Sequence, residues 1–202
     1  MNKLKANNER LEDPILWSQL KAGDEEAFSL LFERYYSQLV NYGKTLMLDA
    51  GIVKDCVQDV FMDVWKYRNK LNETVVVKAY LLSSVRKRII RLNERERIFF
   101  KTKDIDTIEF LFDFSIEDKL ITDQTKTAQI EQLNRLINNL PSRQKEALYL
   151  RYHHGLSVQQ VSEVLNMGYQ SAKNLLYRAV IQLRKDFPTP FLILIIRLWG
   201  NN

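Results

Sequence analysis

Apolar residues recur at helical spacing along most of this chain. Ala27, Phe28, Leu30, Leu31, Tyr35, Leu39 and Tyr42 form one stripe, the pattern of an amphipathic helix with one buried face. Asp24, just after Gly23, has a side chain suited to cap the start of that helix. A second stripe follows Gly51: Val53, Val57, Val60, Phe61, Val64 and Trp65, with Lys54, Asp55, Gln58, Asp59 and Asp63 on the opposite face. The third, Tyr80, Leu81, Val85, Ile89 and Leu92, is interleaved with Arg86, Lys87, Arg88 and Arg91. Amphipathic helices joined by short loops predict a compact bundle over residues 12–97.

The periodicity then fails. Between about 98 and 129, Ile108, Phe110, Leu111, Phe112, Phe114 and Ile116 are mixed with acids. The acids argue for a linker, the aromatics against a purely disordered one, so a tether whose apolar part docks somewhere is expected. Helical spacing returns with Leu133, Leu136, Ile137 and Leu140. Pro141 suits the first turn of the next helix, where its missing N–H costs nothing, and Ala147, Leu148 and Leu150 carry that helix toward His153-His154-Gly155.

The stretch from Leu156 to Lys185 is the most specific. Ser157 and Gln160 have the spacing of a capping box, and Val158, Val161, Val164 and Leu165 face inward. Asn166-Met167-Gly168 is a break, since Asn and Gly tolerate the left-handed backbone of a helix end. A longer helix follows, with Ala172, Leu175, Leu176, Ala179, Val180 and Leu183 on its buried side. Its other side carries Tyr169, Gln170, Ser171, Lys173, Asn174, Tyr177 and Arg178. Two helices joined by a three-residue turn can place the second in the DNA major groove. That groove is about 12 Å wide and admits one helix. Gln and Asn can pair bidentately with adenine and Arg with guanine, while Lys173 or Arg178 could instead hold phosphates. An ordinary buried hairpin would not need so polar an outer face. The fold class expected is therefore all-α: an N-terminal helix bundle and a C-terminal helix-turn-helix bundle (130–186), joined by an acidic linker (98–129) and followed by an apolar extension (187–202).

Charge reinforces this division. The net charge is only +5, but it is segregated. Lys78 to Lys103 holds nine basic and two acidic residues, Asp104 to Asp123 seven acidic and one basic, and Arg135 to Lys185 eight basic and two acidic. Two basic blocks around an acidic one suggest two nucleic-acid-facing parts. The single cysteine, Cys56, excludes an internal disulfide and fits a reducing compartment. The apolar tail, Phe191 to Trp199, is shorter than the roughly 20 residues of a membrane span and suits docking on this protein or another. Residues 1–10 are polar and lack the apolar core of a signal peptide. No phosphate-cradling glycine loop or metal-ligand set stands out, so neither an enzyme nor a cofactor is expected.

Specific residues then resemble a known family. Leu140-Pro141-Ser142-Arg143-Gln144-Lys145-Glu146, Leu150-Arg151-Tyr152, Gly155-Leu156-Ser157 and Val161 resemble the promoter-reading region 4 of bacterial sigma factors. Trp17, Leu20-Lys21, Gly23-Asp24, Ala27-Phe28, Leu31-Phe32 and Arg34-Tyr35-Tyr36 resemble the opening helices of sigma region 2. Asp55 with Val57-Gln58-Asp59-Val60-Phe61 and Val64-Trp65 resembles its polymerase-binding helix, and Ala79-Tyr80-Leu81 opens what looks like its basic promoter-melting helix. The length suits the small extracytoplasmic-function (ECF) type.

The resemblance implies a cytoplasmic sigma factor that binds core RNA polymerase and promoter DNA, and an anti-sigma factor as partner. Polymerase contacts would fall on Asp55, Gln58 and Asp59, with Phe61 and Trp65 either anchoring that interface or filling the core. The melted downstream (−10) strand would meet Arg86, Lys87, Arg88 and Arg91, after a base-capturing loop at about Asn69 to Val77. The upstream (−35) duplex would meet Tyr169, Gln170, Ser171, Lys173, Asn174, Tyr177 and Arg178. The chain departs from the family pattern at Lys87 (usually Asn), Lys54 (usually an acid), Asn166 (usually Gly), Gly168 (usually Ser or similar) and Val75-Val76-Val77. The competing classes are a stand-alone helix-turn-helix regulator and a protein-interaction adaptor. The regulator would account for the C-terminal half but not for the separate basic helix after Ala79 or the polymerase-like helix.

Overall fold

A computed structural model of the chain describes residues 12–100, 110–111 and 132–186. The polar N-terminal stretch, most of the acidic linker and the apolar extension from 187 lie outside the described residues. Every regular element among the described residues is helical, and the chain divides into two compact units, residues 1–104 and 105–202.

The N-terminal unit contains α1 (Asp13–Lys21), α2 (Glu25–Lys44), α3 (Ala50–Lys66), a 3-10 turn (Arg68–Lys70) and α4 (Val77–Phe100). Helix α2 starts where its capping chemistry demands: the Asp24 carboxylate accepts the N–H groups of Glu26 and Ala27 at 2.8 and 3.1 Å, and Gly23 takes a positive φ of 96° to turn the chain. Asp49 does the same for α3 through Gly51 and Ile52. Gly51 therefore lies inside the first helical turn rather than ahead of it. Leu16, Trp17 and Leu20 of α1, Leu31, Tyr35 and Leu39 of α2, Val53, Val57, Val60 and Phe61 of α3, and Leu81, Val85 and Ile89 of α4 are all buried. At Gly43, α2 passes close to α3 and α4. A Cβ there would lie 2.5 Å from Val53 Cγ1 and 3.3 Å from Ile89 Cδ1.

The C-terminal unit contains α5 (132–138), α6 (Ser142–Leu148), a π-helical turn (Tyr149–His153), α7 (Val158–Val164) and α8 (Tyr169–Asp186). Pro141 sits one place earlier than expected, at the N-cap, where its carbonyl accepts the N–H groups of Gln144 and Lys145. Beyond Leu148 the helix widens into the π turn and stops at Gly155, whose φ is 68°. The Arg151 guanidinium closes this turn by donating to the Leu156 carbonyl at 2.6 Å. Phe110 packs into this unit, 1% exposed, with its ring edge-on to Tyr149 at 5.5 Å. Burying a phenylalanine contributes about 1.5–3 kcal/mol, so this point of the tether prefers its seat roughly tenfold or more before loop-closure entropy is counted. Tyr149 also stacks on His153 at 4.6 Å, and its burial pushes the phenol pKa well above the usual range.

Candidate nucleic-acid interface

The helix-turn-helix is assembled by local hydrogen bonding. Gln160 N–H donates to Ser157 Oγ at 3.2 Å, and Ser157 N–H donates to Gln160 Oε1 at 2.8 Å, which completes the capping box of α7. Asn166 adopts the left-handed backbone at φ 52°, a conformation that Asn visits more readily than most residues. The Met167 N–H reaches back to the Ser162 carbonyl at 2.9 Å, tying off the end of α7. Helix α8 then begins at Tyr169, with the Gly168 carbonyl accepting the Ala172 N–H at 3.0 Å. Ala172, Leu176, Ala179 and Leu183 are buried. Tyr169, Gln170, Ser171, Lys173, Asn174, Tyr177 and Arg178 are all exposed. Gln170 Nε2 donates to Asn174 Oδ1 at 3.2 Å, a weak pair that leaves both amides with open bonding capacity.

The N-terminal unit carries a different surface. An open groove of about 570 Å³ runs between α3 and α4, lined by Asp59 and Asp63 on one side, Lys87, Arg88, Arg91 and Arg95 on the other, with Tyr67, Leu71 and Tyr80 among the remaining lining residues. Lys87, Arg91 and Arg95 are exposed and repeat every four residues, so they form one row along α4. Arg88 reaches across to both acids, Nη2 to Asp59 and Nη1 to Asp63, each at 2.9 Å. Burial works against the Arg88 charge, but the hydrogen bond to Asp63 and the charge of Asp59 outweigh it and raise its pKa. Tyr80 also meets Trp17 edge-on at 5.3 Å. The Trp17 indole N–H donates to the Asn72 carbonyl at 3.0 Å and so anchors the loop that leads into α4.

Two expected site residues are not on these surfaces. Phe61 is 2% exposed and packs edge-on against Phe28 and Phe32, so of the two roles open to it the structure assigns the core. Arg86, placed among the strand-binding cations, is 8% exposed. It lies one residue back from Lys87 on a helix whose Val85 and Ile89 face inward, and the twist carries it to the buried side. Trp65 is half-buried, tilted against Phe28 at 5.2 Å and covered by the Arg68 guanidinium at 4.4 Å. Asp55, Gln58 and Asp59 are exposed on α3, with Met62, 64% exposed, in the same row.

Sequence reasoning missed Tyr67 and Arg95 as groove residues and counted Tyr80 only as core. The four-residue spacing of Lys87, Arg91 and Arg95, opposite the Asp59–Asp63 pair, was the available signal. Row-on-row charge of this kind, with tyrosine rings at the edge, suits an extended nucleic-acid strand. Phosphates can exchange for carboxylates, and bases stack on aromatic faces for about 1–3 kcal/mol each.

Comparison with known proteins defines the class to which this arrangement belongs. Residues 31–97 match the family model for Sigma-70 region 2, and residues 130–183 match that for Sigma-70, region 4. The chain is 26% identical over 155 residues to RNA polymerase sigma factor SigZ of Bacillus subtilis (strain 168), covering 77% of this chain and 84% of the relative. It is 24% identical over 192 residues to the ECF RNA polymerase sigma-E factor of Escherichia coli (strain K12), covering 85% and 92%. In fold it resembles CnrH, solved in complex with the cytosolic domain of CnrY (TM-score 0.56, 17% identity, 86% of this chain and 95% of that one). It also resembles the sigma factor RpoE of Bartonella quintana, solved in complex with the anti-sigma factor NepR (TM-score 0.56, 18% identity, 78% and 94%). Two sigma-70 regions in their usual order make this chain a sigma-70 protein. It belongs to the ECF type of RNA polymerase sigma factor, the proteins that bind core polymerase and promoter DNA and direct transcription initiation.

Proposed function

We propose that three surfaces divide the work of initiation. The exposed face of α3, with Asp55 and Gln58 around Met62 and with Asp59 where that face borders the groove, meets core polymerase. The α3–α4 groove holds the melted −10 strand through Lys87, Arg88 and Arg91. Helix α8 reads the −35 duplex with Tyr169, Gln170, Ser171, Lys173, Asn174, Tyr177 and Arg178. The observation that carries this reading is the exposure of all seven side chains, directly after the tight turn at Asn166 to Gly168, on the side of α8 away from its buried stripe. In solution their bonding groups face water, and duplex DNA offers matching base edges and phosphates. A stand-alone duplex-binding regulator would leave the α3–α4 groove without a use.

Work beside the polymerase puts the protein in the cytoplasm; no helix among the described residues is long and apolar enough to cross a membrane. Two of the fold relatives are held in complexes, one of them with a protein named as an anti-sigma factor. That supports an anti-sigma partner here, one that would cover these same surfaces. The decisive experiment is reconstituted transcription with this chain and core polymerase, followed by a promoter footprint. Protection at two separated elements is expected, with the upstream one lost in an Arg178→Ala, Lys173→Ala double variant. Transcription without promoter selection would sink the proposal.

A further inference from the structure

Each unit carries its own candidate DNA surface, so the chain between them bears on how far apart two DNA elements can be read. Phe110, inside the stretch that sequence pattern marks as linker, is buried against the Tyr149 ring of the C-terminal unit. Tyr149 is itself 6% exposed and opens the π-helical turn Tyr149–His153, a helix irregularity often found at functional sites. At the other end, α4 runs to Phe100. Only residues 101–109 therefore lie between the last residue of α4 and a residue held in the C-terminal unit. Ten residue steps reach at most about 36 Å, whereas the 32 steps from Phe100 to residue 132 would reach about 115 Å.

We propose that Phe110 is a specificity-determining residue for promoter spacing. Its seat beside Tyr149 shortens the working tether to residues 101–109 and so restricts the distance allowed between the two DNA elements. A tether gives high effective concentration only over the spans it can reach, and lengthening it spreads that concentration over more of them. One base-pair step is about 3.4 Å along the helix axis, so tens of ångströms of released chain cover many spacings. The Phe110 side chain would act without touching DNA. This proposal rests on the reading that α8 and the α3–α4 groove engage two elements of one promoter.

The test is transcription by polymerase reconstituted with the full chain, from a template library in which both elements are randomised and the distance between them varies. Sequencing the transcripts yields a spacing distribution for each variant. Phe110→Ala is expected to widen it, while Phe110→Leu, which keeps an apolar side chain in the seat, retains the wild-type width. An insertion of about six Gly/Ser residues after Lys103 leaves the seat untouched but lengthens the short tether. It should widen the distribution by up to about four base pairs. The same insertion after Asp118, behind the anchor, should change nothing. Because these insertions leave Phe110 in place, the comparison holds even where Phe110→Ala misfolds. Two insertions with equal effect, or a well-folded Phe110→Ala with the wild-type distribution, would overturn the tether proposal while leaving the two-surface reading intact. A wild-type chain that enriches no spaced pair of elements would overturn both.

Discussion

The two candidate DNA surfaces treat their charges in opposite ways. On α8, Lys173 and Arg178 stand exposed, and no ion pair among the described residues engages either. In the α3–α4 groove, Arg88 is spent on Asp59 and Asp63, while Lys87, Arg91 and Arg95 stand outward; Arg86, on the same helix, is buried away from the groove. The physical lesson is that charge count does not measure a binding surface. The block from Lys78 to Lys103 carries nine basic residues against eight from Arg135 to Lys185, yet one of its four groove cations, Arg88, is paired internally. An exposed helix face suits a duplex whose groove already exists. A groove whose central arginine is held by carboxylates suits a strand that must first be freed.

The largest effects are expected on the open face. If Arg178 makes a bidentate base contact, Arg178→Ala should cost about 1–3 kcal/mol, roughly a fivefold to 150-fold loss of promoter use, and should relax specificity at one base pair. Lys173→Ala, if it removes a phosphate contact, should weaken use evenly across promoters and lower the slope of log affinity against log salt by about one. Run-off transcription over a salt series separates the two. Equal behaviour of both variants would mean that α8 holds the backbone only, and the contrast with the groove would lose its meaning.

Next in size is a test of the frame that carries the groove. Gly43→Ala inserts a methyl against stiff, β-branched Val53 and against Ile89. It should cost about 1–3 kcal/mol of the N-terminal unit's stability. Chain unfolding followed by hydrogen exchange should show earlier exchange in α2 to α4 and unchanged exchange in α8, since the chain forms two units. Ser157→Ala should do the reverse at about 1 kcal/mol, by removing half of the capping box. Exchange that rises in both units for either variant would show that they do not open independently.

The legibility of the two regions differed for the same reason. Capping residues act on backbone groups two or three positions away, so Asp24, Ser157, Gln160 and Asn166 announce their roles in a short window of sequence. The solvent face of α8 was equally clear, because a single helix at the edge of its unit needs only its own period. Arg86 was misjudged, since a basic residue beside a stripe is assigned outward until the neighbouring helices are known. The apolar stripe favours the core for Phe61 without excluding the interface, and Phe28 and Phe32, far from it in sequence, decide for the core. Gly43 and the Arg88 clamp were invisible, because both depend on which helices lie opposite. The seat of Phe110 was expected only as docking of unstated place, and its partner, Tyr149, follows from tertiary packing alone.

The smallest effect is the one on which the comparison turns. Arg88, Asp59 and Asp63 are 34%, 56% and 53% exposed, and ion pairs in such settings contribute about 0.2–1 kcal/mol each. A double-mutant cycle of Arg88→Gln and Asp63→Asn should therefore give a coupling in that range at low salt. It should shrink as salt rises, since the Debye length falls from about 30 Å at 0.01 M to about 10 Å at 0.1 M. A coupling that small means the clamp orients Arg88 without locking it, so a strand's phosphates can displace the carboxylates at little cost. Its binding consequence is asymmetric. Asp63→Asn should tighten binding of a single-stranded oligonucleotide, and Arg88→Gln should remove most of that gain, whereas a general loss of negative charge would persist in the double variant. Were the gain independent of Arg88, the groove would be as open electrostatically as α8, and what distinguishes the two surfaces would be shape alone.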